Sequence, residues 1–180
     1  MAKLRVPVTP DDHIRGREDA PITLVEYGDY ECPHCGRAYY ILQDVEERYK
    51  DDLRFVFRHF PLAQIHPLAE PAAESAEFAG AHDLFWEMHD AIYENQRELG
   101  LPLLFQVADS LDLPSLDLQQ ALESHQYLPQ VQEDFLGGVK SGVNGTPTFF
   151  INGVRHDGSY EFQDLVSAID SRLNEVRSAA

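Results

Sequence analysis

The stretch ITLVEYGDYECPHCGRAYYILQDVEERY, Ile22–Tyr49, carries both cysteines of the chain, Cys32 and Cys35, at the junction of two patterns. Ile22–Tyr27 is a short β-rich run suited to a central strand. Ala38, Ile41, Leu42, Val45 and Tyr49 recur at helical spacing. Cys32 therefore stands where a strand hands over to a helix. Pro33 suits the first helical turn, where its missing N–H costs nothing. LRFVFRHF, Leu53–Phe60, is a second strand candidate. A strand, a helix and a strand in such quick succession imply a parallel pair.

Outward from this core the pattern changes. Residues 1 to about 20 are polar and proline-bearing, and read as an extended lead-in. From His66 to about Lys140 only helical patterns occur, broken by Pro102, Pro114 and Pro129. Phe85, Trp86, Met88, His89, Ile92 and Tyr93 form one broad apolar face, and Leu116, Leu118 and Leu122 suggest a further short helix. Strand signals return at Thr148–Ile151, followed by an Asn152-Gly153 hairpin turn and a partner run, Val154–His156. Phe162, Leu165, Val166, Ile169, Leu173 and Val176 predict an amphipathic closing helix. The expected organisation is α/β. Residues 1–65 form a βαβ half, 66–140 an inserted helical subdomain, and 141–180 a ββα half, around a small mixed sheet with flanking helices.

With 180 residues the chain can bury a sizeable core without covalent staples. Two cysteines separated by two residues cannot brace a fold of that size. The formal charge of -17 argues against nucleic acid or anionic membrane as a partner. The N-terminal MAKLRVPVTPDDHIRG has basic residues but no apolar run of a signal peptide, and no stretch is long and apolar enough to span a bilayer. The chain thus reads as cytoplasmic, without membrane insertion. A chain trimmed of an export signal would read the same.

The C-P-H-C segment carries the chemistry. Such a pair can be half of a metal site, but zinc normally takes four ligands, and no second cysteine pair or matching histidine rhythm accompanies this one. No metal is expected there. A thiol at a helix N-terminus is stabilised as thiolate by free N–H groups and the macrodipole. Cys32 is thereby the expected nucleophile, and Cys35, one turn on, the less acidic resolving thiol. His34 either favours the thiolate or is an exposed loop histidine. Asp29 and Glu31 oppose a thiolate, and Arg37 partly offsets them.

VEYGDYECPHC and, far downstream, VNGTPTFFING resemble the DsbA-like branch of the thioredoxin superfamily; FRHFPL, Phe57–Leu62, and FWEMHDAIYENQ, Phe85–Gln96, add to the likeness. The resemblance covers nearly the whole chain. It implies a thioredoxin fold with a helical insert, and a thiol–disulfide oxidoreductase whose only redox group is the Cys32–Cys35 disulfide, with no bound cofactor. In the C-P-H-C variant the histidine His34 goes with an oxidising disulfide. Thr146-Pro147 matches the loop whose proline is cis and faces the cysteines, where Thr146 backbone groups would pair with an extended substrate. Local sequence alone also allows a proline that merely starts a strand. Glu26 matches a buried acid able to take the Cys35 proton. Alternation puts it on one face with Ile22 and Leu24, although an outward-facing strand glutamate is the alternative.

Expected partners are proteins with thiols or disulfides, with glutathione or a redox protein as electron partner. Whether the protein acts as oxidase, isomerase or reductase is left open. Competing expectations are a glutathione-dependent transferase or isomerase of this fold, and a client-binding or chaperone-like module. Some bacterial sodium/proton antiporters carry a similar domain at their end. Arg58 and His59 are expected to be strand-end residues packing on the insert.

Overall fold

The computed structural model describes residues 2–179. Its sheet has five strands: β1 (His13–Gly16), β2 (Ile22–Gly28), β3 (Leu53–His59), β4 (Thr148–Ile151) and β5 (Val154–His156), in the order β1-β3-β2-β4-β5. Strands β2 and β3 run parallel, and the other neighbours are antiparallel. Their connection is α1 (Pro33–Tyr49), the crossover that a parallel pair requires. Five helices lie between β3 and β4: α2 (Ala69–Gly80), α3 (Phe85–Glu94), α4 (Leu101–Ser110), α5 (Ser115–Glu123) and α6 (Leu128–Lys140). The closing helix is α7 (Phe162–Ala179). This is the small mixed sheet with flanking helices and a helical insert that the sequence pattern predicts, and it is the thioredoxin fold that the resemblance implies.

β2 is buried along nearly its whole length because both of its faces are covered. Ile22 and Leu24 point into a large core shared with Leu42 and Val45 of α1, Met88 of α3 and Ile169 of α7. Val25 and Tyr27 point the other way, onto Val56, Phe60, Val143 and Phe150. Helices α1 and α7 pack together, and α3 of the insert meets α1. The insert thus leans on the helix that carries the cysteine pair. At the β4–β5 hairpin, Asn152 and Gly153 both take positive φ, 47° and 76°, as a tight two-residue turn demands.

The lead-in is more structured than its composition suggests. His13–Gly16 adds an antiparallel edge strand to β3, with His13 opposite Phe57. Its sequence, HIRG, has no apolar run to announce it. It is held instead by Arg15, which binds Glu46 at 2.8 Å and Asp90 at 3.2 Å and lies over the Trp86 ring. Further upstream, Lys3 bridges to Val154.

Arg58 fixes this segment to the sheet. Its buried guanidinium donates to Asp12 Oδ1 at 2.7 Å, to the carbonyls of Val6 and Pro7 at 2.9 Å, and to Tyr27 Oη at 3.0 Å. So Arg58 packs on the lead-in, whereas His59 does reach the insert, at Glu77 of α2.

Candidate active site

Cys32 is the N-cap of α1 and Pro33 its first residue. The turn before it is built by Asp29. The buried Asp29 carboxylate accepts the amides of Glu31 at 2.8 Å and Cys32 at 3.1 Å through Oδ1. Oδ2 accepts the Leu62 amide at 2.9 Å and faces His66 Nδ1 at 2.8 Å. An Asp three residues before the cap holds the amide that the helix leaves unpaired. Its negative charge is spent on these donors, and Glu31 turns away to accept the Leu68 amide at 2.6 Å. The opposition expected from these two acids is thereby blunted.

Both thiols are free and buried, Cys35 completely. They differ sharply in acidity. The hydrogen bond from Cys35 is the main influence that brings the Cys32 thiol down to about 5; burial opposes it, and Thr146 and the backbone N–H groups of Cys35 and His34 assist. Burial pushes Cys35 well above the ordinary thiol range, and the bond to Cys32 and the charge of Glu26 push it further. The Asp29 amide donates to its sulfur at 3.5 Å. The surroundings thus favour thiolate at Cys32 and thiol at Cys35.

The His34 ring is exposed, and its Nδ1 lies 2.9 Å from Tyr160 Oη. It reaches Cys32 through its backbone N–H. Of the two readings the sequence allows, the ring takes the exposed one, turned toward the β5–α7 loop. Arg37, likewise exposed, pairs with Glu161 of the same loop.

Glu26 lies mid-strand, 2% exposed, opposite Phe57 of β3 and Phe149 of β4. Its Oε1 has no hydrogen-bond partner among the described residues. Burial lifts its carboxyl to about 8, and the charges of Cys32 and Glu46 add to the rise. Its carboxyl is thus buried near the pair, and its charge bears on both cysteines.

Thr146 and Pro147 come from the segment before β4, and the bond between them is cis. The Cys32 thiol donates to the Thr146 carbonyl at 3.5 Å. The Thr146 hydroxyl is buried, and it is this side chain that helps to lower the Cys32 thiol. Cys32, Cys35, Glu26, Thr146 and Pro147 thus converge, with His34 at the rim.

Sequence reasoning missed Gln96, which follows α3. Its Nε2 donates to the carbonyls of Tyr30 at 2.9 Å and Cys32 at 2.8 Å. Gly36 makes room for it: a Cβ there would collide with Gln96 Oε1. The only available signal was its position at the end of FWEMHDAIYENQ. Tyr160 was missed too, since no local pattern ties it to the cysteines.

A family model described as thioredoxin matches residues 8–171. Among solved structures, the chain is similar to oxidised BdbD from Bacillus subtilis, with 24% identity, TM-score 0.86, and 96% of this chain and 98% of that one covered. It is also similar to alpha-DsbA1 of Wolbachia pipientis, with 23% identity, TM-score 0.83, and coverage of 98% and 97%. At these identities the likeness is one of fold. Among curated relatives, a Na(+)/H(+) antiporter NhaA 1 of Salinispora arenicola is 45% identical over 175 residues, which are 97% of this chain and 27% of the antiporter. One from Mycolicibacterium vanbaalenii is 40% identical over 172 residues, or 94% of this chain and 28% of the relative. The chain spans little more than a quarter of the length of these relatives.

Proposed function

The chain belongs to the thioredoxin family, and from that premise we propose that it is a thiol–disulfide oxidoreductase acting on protein substrates through Cys32 and Cys35. The observation that carries this reading is the placement of the pair: Cys32 caps α1 with its sulfur against the Thr146 carbonyl, and Cys35, one turn on, is completely buried; the split acidity agrees with it.

In the reducing direction, Cys32 thiolate attacks one sulfur of a substrate disulfide. A Cys32–substrate mixed disulfide forms, and the other substrate sulfur leaves as thiolate. Cys35 then gives its proton to Glu26 and attacks the Cys32 sulfur. The Cys32–Cys35 disulfide closes, and the second substrate sulfur departs. Two electrons have passed to the substrate. Every step reverses in the oxidising direction, where the pair gives its disulfide to two substrate thiols.

The acidity of Cys32 favours that second direction. A stabilised thiolate stabilises the reduced pair, so the disulfide is the better oxidant. The Thr146 backbone beside the Cys32 sulfur offers an extended substrate segment a place to pair. Glutathione or a redox protein would restore the pair after each turnover.

The test is thiol oxidation and insulin reduction by the wild-type chain and by C32S. Exchange in the first and none in the second supports the reading; undiminished exchange in C32S ends it.

A further inference from the structure

Away from the cysteines, three chemistry-bearing side chains meet where the edge strand, the end of β3 and the insert come together. His13 Nε2 lies 2.7 Å from Glu77 Oε1, and His59 Nε2 lies 2.8 Å from the same oxygen. All three donor atoms fall within 4.8 Å of one another. His59 and Glu77 are 1% and 7% exposed, so this is a built interior cluster and not a solvated surface group.

A cavity of about 500 Å³ opens beside it, lined by His13, Glu77, Glu133 and Asp134. Of the nearby bases, Arg58 is engaged by Asp12. Asp134 accepts the His59 amide at 2.9 Å. The cluster thus brings one carboxyl group and two imidazoles together beside the cavity, with the Asp134 carboxyl group close by.

We propose that His13, His59 and Glu77 bind a divalent transition-metal ion of the zinc class, its fourth position facing the cavity. Two imidazole nitrogens and one carboxylate oxygen are a donor set suited to zinc. Calcium and magnesium prefer oxygen throughout. Tetrahedral bonds of about 2.0–2.1 Å put neighbouring ligand atoms roughly 3.3 Å apart, against the 2.7 and 2.8 Å that now separate the two Nε2 atoms from Glu77 Oε1. An ion held by the two Nε2 atoms replaces the contacts they now make with Glu77 Oε1.

The ligands come from β1, β3 and α2, so the ion ties the edge strand and the sheet to the insert. A second group, Glu70, Glu74 and His125, has donor atoms equally close, but His125 is 60% exposed and the group offers a single imidazole.

The experiment is calorimetric titration of the C32S/C35S chain, whose missing thiols cannot take the ion, with zinc chloride and separately with calcium chloride. One zinc per chain is expected, with X-ray absorption showing two imidazoles on the metal. In the same background, H13A and E77Q should weaken binding by roughly tenfold or more, whereas H125A should leave it unchanged. Because E77Q removes an interior charge, circular dichroism checks its fold; if it unfolds, the partly exposed His13 decides alone. Zinc retained in full by H13A, lost only in H125A, absent altogether, or outcompeted by calcium would each overturn the proposal.

Discussion

Gln96 of the insert donates to the Cys32 carbonyl at 2.8 Å, so the helical insert grips the first turn of the cysteine-bearing helix. The site is therefore shared by elements far apart in the chain. Its acid thiol depends on a backbone that the insert and Asp29 hold from two sides.

Gln96→Leu strands the carbonyl of Tyr30 and leaves that of Cys32 with only the Gly36 amide. An unpaired buried group costs about 1–3 kcal/mol, and we expect a loss of stability of that size in urea unfolding. The Cys32 midpoint, read by the pH dependence of alkylation, should rise from about 5. A variant with unchanged stability and unchanged midpoint would remove Gln96 from the site.

Glu26 takes its proton at about 8 when folded, against 4.5 as a model carboxyl. Between those values the folded state binds more protons than the unfolded one, so this group's contribution falls as pH rises through the window. Glu26→Gln removes that penalty. The variant should gain on wild type with increasing pH, by on the order of 5 kcal/mol at pH 9 and by little near pH 4. Comparing variant with wild type cancels the thiol contributions. Resolution of a trapped mixed disulfide should slow at neutral pH. A stability difference that does not change with pH would contradict the buried acid.

Cys32 titrates the other way. Its folded value, about 5, lies below the model thiol at 9.0, so the reduced protein gains stability as pH rises above 5, in full above 9. At pH 7 this amounts to roughly 2–3 kcal/mol. The reduced chain should therefore melt above the oxidised one at pH 7, and the gap should shrink on acidification toward pH 4. An oxidised form that melts higher across that range would refute the acid thiol.

Arg58→Met leaves Asp12 without its partner and frees the carbonyls of Val6 and Pro7. Breaking a buried ion pair from one side costs about 3–5 kcal/mol. Amide exchange should accelerate first in the N-terminal segment and β1. Protection there equal to wild type would show that the segment is held by other contacts.

The sequence shows these features unequally. β2, α1, β3 and the β4–β5 hairpin carry their own patterns, because each buries a face and its alternation or helical spacing records that face. Glu26 was readable for the same reason, sharing the Ile22 and Leu24 face. The strand His13–Gly16 was not: an edge strand of four residues needs no apolar run, and its polar side chains find partners only in the folded molecule. Gln96 and Tyr160 likewise reach the cysteines from distant segments, so nothing near them in sequence shows their contact. The position of the His34 ring depends on Tyr160, which lies 126 residues away.

The central claim is that Cys32 is an acid thiolate whose stability makes the disulfide oxidising, and the equilibrium of the pair against glutathione redox buffers at pH 7 tests it most directly. Thioredoxin, with a nucleophile near 7, stands at about -270 mV. Lowering that value to about 5 stabilises the reduced pair by a little under two decades at pH 7, and each decade is worth about 30 mV. The account predicts a potential of about -220 mV or more positive. A potential at or below thioredoxin's, or no intramolecular disulfide in any buffer, would contradict it.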